Sequence, residues 1–284
     1  MQNIVVYFLN YLIIFVENVI CMEAILRKMY VENKDVVSYF VMTDEESFPL
    51  NPVIGKSLTI RFMNEIICLN CGNITKKSFG QGYCYPCFQR IPETEECVLR
   101  PELCLAHEGI ARDMEFAKSH CLIDHYVYLA NTGVLKVGVT RYHQVPTRWI
   151  DQGATEAIIL AKTPNRYLAG TIEVALKSVI SDRTNWRKML AGEAFPIDLL
   201  SEKDRIAELL PFDMQDYLDF DDNVMHIHYP VNKYPEKIKS VNLDKTADVS
   251  GILAGIKGQY LIFDDGRVFN VRKHGGYKVE IAVG

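Results

Sequence analysis

CLNCGNITKKSFGQGYCYPCF, residues 68 to 88, carries two cysteine pairs, Cys68-x2-Cys71 and Cys84-x2-Cys87, separated by twelve residues. Each pair forms a knuckle whose two thiolates aim at one point, and two knuckles complete a tetrahedral Zn2+ site of the ribbon type. Gly72, Gly80 and Gly82 supply the tight turns that knuckles need, and Tyr83, Tyr85 and Phe88 offer apolar cover around the sulfurs. Four thiolates closed around one ion stabilise folding and leave no position for chemistry. The spacing therefore predicts a structural zinc-ribbon segment rather than a redox or iron–sulfur centre.

Seven of the eight cysteines fall between Cys68 and Cys121, which favours metal over a disulfide framework spread through the chain. Thiols used in this way point to a reducing compartment and predict a cytoplasmic protein. Beyond the knuckles, Cys97-x6-Cys104-x2-His107 and Cys121 offer a second Zn2+ site. Their spacing matches no standard finger, so the alternative is a set of buried free cysteines beside a capping histidine. No orienting third group or oxyanion site marks a catalytic cysteine.

Of the 284 residues 49% are apolar and 24% charged, so the chain buries a real core and is neither disordered, collagenous nor a coiled coil. Its length predicts two or three small domains. The net charge of −5 provides no global positive field, so nucleic acid must be met by a local patch. From Ile4 to Val16 all positions but Asn10 are apolar, too short a run to span a bilayer, which takes about 20. No Lys or Arg precedes it, as a signal peptide would require. Residues 1–21 are read as a non-native extension ahead of Met22, against the alternatives of a short membrane anchor or an ordinary strand or helix; no membrane partner is expected.

The predicted class is α+β. Residues 22–67 read as three short strands, 68–121 as the zinc-binding region, 122–200 as a small α/β domain, 201–223 as a helical linker and 224–284 as a C-terminal β module. In the last, Asp265-Gly266 and Gly275-Gly276 mark the turns of two successive hairpins. Its alternating basic and aromatic residues are either a base-stacking surface or a core with a solvated face. The two β segments flanking the centre are expected to complete one barrel together, since each alone has too few strands.

Tyr126-Val127-Tyr128, the turn Asn131-Thr132-Gly133 and Lys136-Val137-Gly138 resemble the paired motifs of the GIY-YIG nuclease superfamily, a three-stranded sheet flanked by helices. The resemblance places Tyr128 at the first motif's tyrosine, Gly138 at the second motif's glycine, Arg148 at the helix arginine, Glu173 at the metal-binding glutamate and Asn185 at the asparagine that follows. It implies a phosphodiester hydrolase in which Tyr128 acts as base or positions water, Arg148 stabilises phosphate, and Glu173 holds Mg2+ or Mn2+. Tyr126 stands where that family has glycine and Lys136 where it has tyrosine. Tyr142 is the candidate substitute, and Lys136, Arg141 and Tyr142 are the candidate nucleic-acid contacts. Structural alternatives stand beside these roles: Tyr128 as core, Arg148 paired with Asp151, and Asn185 as a cap before Trp186.

From Met22 onward the chain resembles domain of unknown function 2797, on CLNCGNITKKSFGQGYCYPCF, RPELCLAHEGIARDME, LKVGVTR, PTRWIDQGA, RTNWRKML and GIKGQYLIFDDGRVFNVRKHGGY. That family brings no activity. The expectation is a zinc-stabilised nucleic-acid-binding protein, either a metal-dependent nuclease or a non-catalytic interaction module for RNA, ribosome or protein.

Overall fold

The computed structural model describes the backbone of residues 5–8 and 11–14, and residues 20–43, 46–192 and 196–284 in full. Most of residues 1–21, read above as an extension, lie outside the fully described residues. In chain order the strands are β1 (Val5–Phe8), β2 (Tyr11–Ile14), β3 (Ile20–Ile25), β4 (Tyr30–Glu32), β5 (Ser38–Met42), β6 (Ser47–Pro49), β7 (Ser57–Ile66), β8 (His125–Asn131), β9 (Leu135–Arg141), β10 (Glu156–Thr163), β11 (Met225–His226), β12 (Lys239–Val241), β13 (Asp248–Lys257), β14 (Tyr260–Phe263), β15 (Arg267–Asn270) and β16 (Tyr277–Val283). The helices are α1 (Tyr85–Arg90), α2 (Met114–His120), α3 (Thr147–Asp151), α4 (Arg166–Leu176), α5 (Trp186–Leu190), α6 (Leu199–Ala207) and α7 (Phe212–Gln215). The chain divides into two units, residues 1–88 with 229–284, and residues 89–228. The cysteine-rich segment 68–121 is thus split between them just after the second knuckle.

The first unit is built on a seven-stranded sheet ordered β12-β15-β14-β13-β7-β16-β3, into which both flanking β segments enter. Alternation explains the inner strand β16, next to the edge strand β3: Tyr277, Val279, Ile281 and Val283 are buried while the residues between them face outward. On the outward face Arg61 bridges Asp248 at 3.1 Å and Glu280 at 2.9 Å from its two flanking strands. The predicted Asp265-Gly266 hairpin forms between β14 and β15. The second predicted hairpin does not form, because β16 leaves β15 and pairs with β7 and β3. The reason is close packing at the two glycines. A side chain at Gly275 would come within 2.2 Å of the Gln81 carbonyl, and one at Gly276, where φ is +87°, within 2.6 Å of the Ile67 carbonyl. Gly275-Gly276 therefore lets the first cysteine segment lie against the sheet, and Ser78 Oγ donates to Gly275 O at 2.8 Å.

The second unit has the sheet order β11-β10-β8-β9. Strand β8 is buried along nearly its whole length and pairs antiparallel with both neighbours. Helix α4 buries Ala169, Gly170, Ile172, Glu173 and Leu176, a single stripe at helical spacing, and its apolar members pack with Val127, Leu129, Val137, Ile158 and Leu160. Asn165 caps it, accepting from Leu168 N at 3.0 Å. Gly170 has no room for a side chain, since a Cβ would sit 2.2 Å from Glu102 N. That approach seats the 97–104 segment on α4 and brings its cysteines to the helix's first residue, Arg166.

Candidate metal centres and a buried carboxylate

In the first unit the chain turns out of β7 into Cys68, doubles back at Gly72 (φ +72°), and returns at Cys84 just before α1. Gly72 N donates to Cys68 O at 2.9 Å, which closes the first knuckle. The sulfurs of Cys68, Cys71, Cys84 and Cys87 all lie within 4.8 Å of one another. Cys71 Sγ and Cys84 Sγ are 3.8 Å apart. A tetrahedron with metal–sulfur bonds of about 2.3 Å has edges of about 3.8 Å, so the set fits Zn2+. Asn70 Nδ2 donates to Cys87 Sγ at 3.3 Å, orienting that sulfur. Burial raises the Cys68 thiol, but the backbone N–H groups of Cys71, Cys84 and Asn70 outweigh it and lower its pKa to about 6. Phe79 packs at 5.3 and 6.1 Å on Tyr85 and Phe88, two of the three aromatic residues expected to cover the sulfurs.

In the second unit Cys97, Cys104 and Cys121, all buried, also bring their sulfurs within 4.8 Å of one another. His107, expected as the fourth ligand, is not among them. Its ring stacks on Tyr167 with centroids 4.4 Å apart, and its Nε2 lies 3.7 Å from Glu108. The C-x2-H spacing turns through a short 3-10 helix, Ala106–Glu108, which carries the histidine away from the sulfurs. Arg166 supports the group instead: Nη1 donates to Cys97 O at 3.2 Å and Nη2 to His120 O at 3.1 Å, with Cys97 Sγ 3.9 Å from Nη1. Hydrogen bonds from Cys121 and Cys97 drive the Cys104 thiol down, and its partners are raised in turn. Arg141, expected at a nucleic-acid face, is half-buried at this end of β9, where Arg166 and Cys121 act on its charge.

The third feature gathers at the middle of the same sheet. Tyr128 stands opposite Gly138, whose missing side chain makes room for it: a Cβ there would lie 2.5 Å from Tyr128 Oη. The ring is fully buried, tilts against Trp149 at 5.9 Å, and donates its hydroxyl to Gln152 Oε1 at 2.8 Å. Burial raises its pKa, which the neighbouring Arg148 only partly offsets. Lys136 is buried and held to about 8 by desolvation and by the Arg148 charge, while its Nζ donates to Thr184 Oγ1 at 3.4 Å. Burial pushes Glu173 up to about 6, against the pull of Lys177 and Lys136. Among the described residues no hydrogen bond or ion pair reaches the Glu173 carboxylate. Asn185 lies outside this group, exposed, with its side chain accepting from Lys188 N at 3.2 Å as the cap of α5. Tyr142 is exposed beyond the end of β9, edge-on to His143 at 5.1 Å.

The folded pKa of Glu173 stands above its ordinary 4.5, so the folded state disfavours the carboxylate. That penalty is absent below pH 4.5 and fully present above 6; a shift of this size is worth about 2 kcal/mol. Glu173→Gln without added divalent ions should therefore be about 2 kcal/mol more stable than wild type at pH 7.5, with the gain falling to less than half at pH 5. Urea denaturation at the two pH values checks this, and a gain independent of pH would contradict it.

Arg166 and Gln152 belong to these sites, and the charges of Asp182 and Glu102 act on Glu173; none of the four was singled out in the sequence. No motif marks them. Arg166 reads as the start of an amphipathic helix, and Glu102 as part of a charged loop.

Fold and site define an α+β protein of two units, each with a cysteine group that could hold a metal ion, and no helix among the described residues is long and apolar enough to cross a membrane. A family described as "Protein of unknown function (DUF2797)" matches residues 55–279, most of the chain, and the protein belongs to that family. No curated protein and no solved structure matches it.

Proposed function

We propose that the second unit binds nucleic acid at its phosphates and hydrolyses a phosphodiester with a Mg2+ or Mn2+ ion at Glu173, on a cytoplasmic scaffold held together by structural Zn2+. The observation that carries this reading is Glu173 itself: a carboxyl 8% exposed on an otherwise apolar helix stripe, with no hydrogen bond or ion pair among the described residues and only the longer-range charges of Lys177 and Lys136 attracting it, would be stabilised by a cation. Mg2+ suits a site with one carboxylate, because it keeps several waters and takes further oxygens from substrate phosphate. Such an ion, when bound, lowers the pKa of a coordinated water and screens the phosphoryl oxygens. In this reading Arg148, whose charge acts on Tyr128 and Lys136, stabilises the phosphate, and the buried Lys136 adds its charge. The antiparallel strands β9, β8 and β10 with helices α3 and α4 agree with the sheet that the GIY-YIG resemblance implies, and the Tyr128–Gly138 pair with its motifs. Tyr128, buried with a raised pKa, is unsuited to be a base at neutral pH and serves to position Gln152 and Arg148.

One observation favours a second reading, a non-catalytic interaction module. Among the described residues Glu173 belongs to no group of three or more candidate metal ligands. A single experiment separates the readings. The full chain is incubated with plasmid DNA, single-stranded DNA and total RNA in Mg2+ or Mn2+, beside Glu173→Gln, and binding is measured at about 50 mM salt, where counterion release favours association. Cleavage lost in the variant with binding retained supports hydrolysis. Binding without cleavage in either protein supports the module in its RNA-binding form, and no binding to any of the three overturns hydrolysis and leaves only a module for protein partners.

A further inference from the structure

We infer that Cys97, Cys104 and Cys121 form an open metal centre, three thiolates with the fourth position given to an exchangeable neutral molecule. This rests on the reading that these cysteines hold a metal, and it departs from the closed four-ligand site that the sequence predicted. Three observations carry it. First, the three sulfurs converge, and no other His, Cys, Asp or Glu among the described residues joins them. His107, the one candidate within a short loop, has its ring committed to the stack on Tyr167.

Second, the three cysteines line a cavity of about 270 Å³ whose other walls include Leu105, Ile110, Ala111 and Arg112. The inner side of the cluster is taken by the Arg166 guanidinium, a cation that cannot ligate a metal. The unfilled direction of a tetrahedron on these sulfurs is therefore toward the cavity. A space of this size admits a water or a small ring, and lies below the range of drug-sized sites.

Third, charge selects what enters. A divalent ion with three thiolates carries −1, which Arg166 balances. A neutral fourth ligand keeps the centre at −1, whereas an anion would take it to −2 in a cavity walled largely by Leu103, Leu105, Ile110 and Ala111, where a further negative charge is poorly solvated. The charged side chains at the wall do not alter this, since Glu96 is paired with Arg100 at 3.1 Å and the Arg112 charge stands beside Glu95, which accepts from its backbone N–H at 3.2 Å. The ligand class is a neutral donor: water at rest, replaceable by a small nitrogen heterocycle. Three protein ligands with one exchangeable position is the arrangement of zinc sites that do chemistry, as four thiolates is of those that only hold structure. The protein then has one centre of each kind.

The test uses the full chain with Co2+ in place of zinc and imidazole as the probe. Two metal equivalents are expected, and imidazole should shift the visible ligand-field bands of one of them saturably. His107→Phe, which keeps the ring stack and removes both nitrogens, should retain two equivalents and the same response. Ala111→Phe, which fills the cavity, should retain two equivalents and lose the response. Two equivalents with bands indifferent to imidazole would overturn the open position while leaving the metal in place, and so would loss of one equivalent in His107→Phe. A single equivalent in the wild type would show instead that these cysteines hold no metal, which removes the reading underneath.

Discussion

Replacing Cys84 by alanine in the full chain is expected to release one equivalent of Zn2+ and to unfold the cysteine segment of the first unit. The argument is one of scale. Structural zinc in small thiolate sites contributes about 10–16 kcal/mol at neutral pH, comparable with or above the roughly 5–15 kcal/mol that hold a whole domain. Residues 68–88 have little else to stabilise them, since they form only isolated bridges and one short helix, α1. Their anchors to the sheet, Ser78 to Gly275 and Ile67 N to Gly276 O at 2.7 Å, depend on the knuckles keeping their shape. The second unit contains no ligand of this centre, so its own cysteine group should keep its metal. Metal analysis and thermal unfolding followed by circular dichroism check this, and a variant with unchanged zinc and an unchanged transition would refute the centre.

Arg166→Met is the second large effect, and it acts on the other unit. The methionine fills the aliphatic space of a residue only 8% exposed but removes its charge and both donors. Cys97 O and His120 O lose their partners, and charge-assisted bonds contribute about 1.5–3 kcal/mol each, so roughly 3–6 kcal/mol should go. Arg166 Nε is itself buried without a partner, which places the loss toward the lower end. The same change leaves the three-thiolate centre at −1 with only Arg141, at the same end of β9, to offset it, so its metal should be lost to a chelator more readily than the first centre's. Arg166→Lys, retaining the charge without the planar fork, should fall between. Urea unfolding and chelator competition measure the two effects. A Met variant as stable as wild type that also holds its metal equally well would show that Arg166 only packs.

Both consequences come from parts of the molecule that differ in how they are written into the chain. The first centre was legible because both ligand pairs are local: two residues between cysteines set a knuckle, and the glycines and aromatics that serve it lie within the same twenty residues. Strand β16 was legible for a similar reason, its buried and exposed residues alternating without interruption. The Asp265-Gly266 turn was legible, but Gly275-Gly276 misled, because a glycine pair signals a tight turn and a close approach equally well. What decided between them was the Gln81 carbonyl, far away in sequence. His107 misled in the same way. Its spacing from Cys104 permits ligation, yet the backbone turn of Ala106–Glu108 and the ring of Tyr167 direct it elsewhere.

The sequence by itself determined the mixed α+β class, the four cysteines of the first group, the three cysteines of the second, and the strand and helix that carry Tyr128 and Glu173, because each depends on local spacing or on a repeating burial pattern. Only the tertiary structure decided that the cysteine-rich segment divides between two units, that Arg166 rather than His107 attends the second group, that Arg141 sits at that end of the sheet, and that Glu173 is buried beside Lys136. These depend on contacts such as Arg166 with Cys97, 69 residues apart, and Ser78 with Gly275, 197 apart. Such contacts have no period or spacing in the chain, since their partners meet only after the sheets and α4 have packed and excluded water from between them.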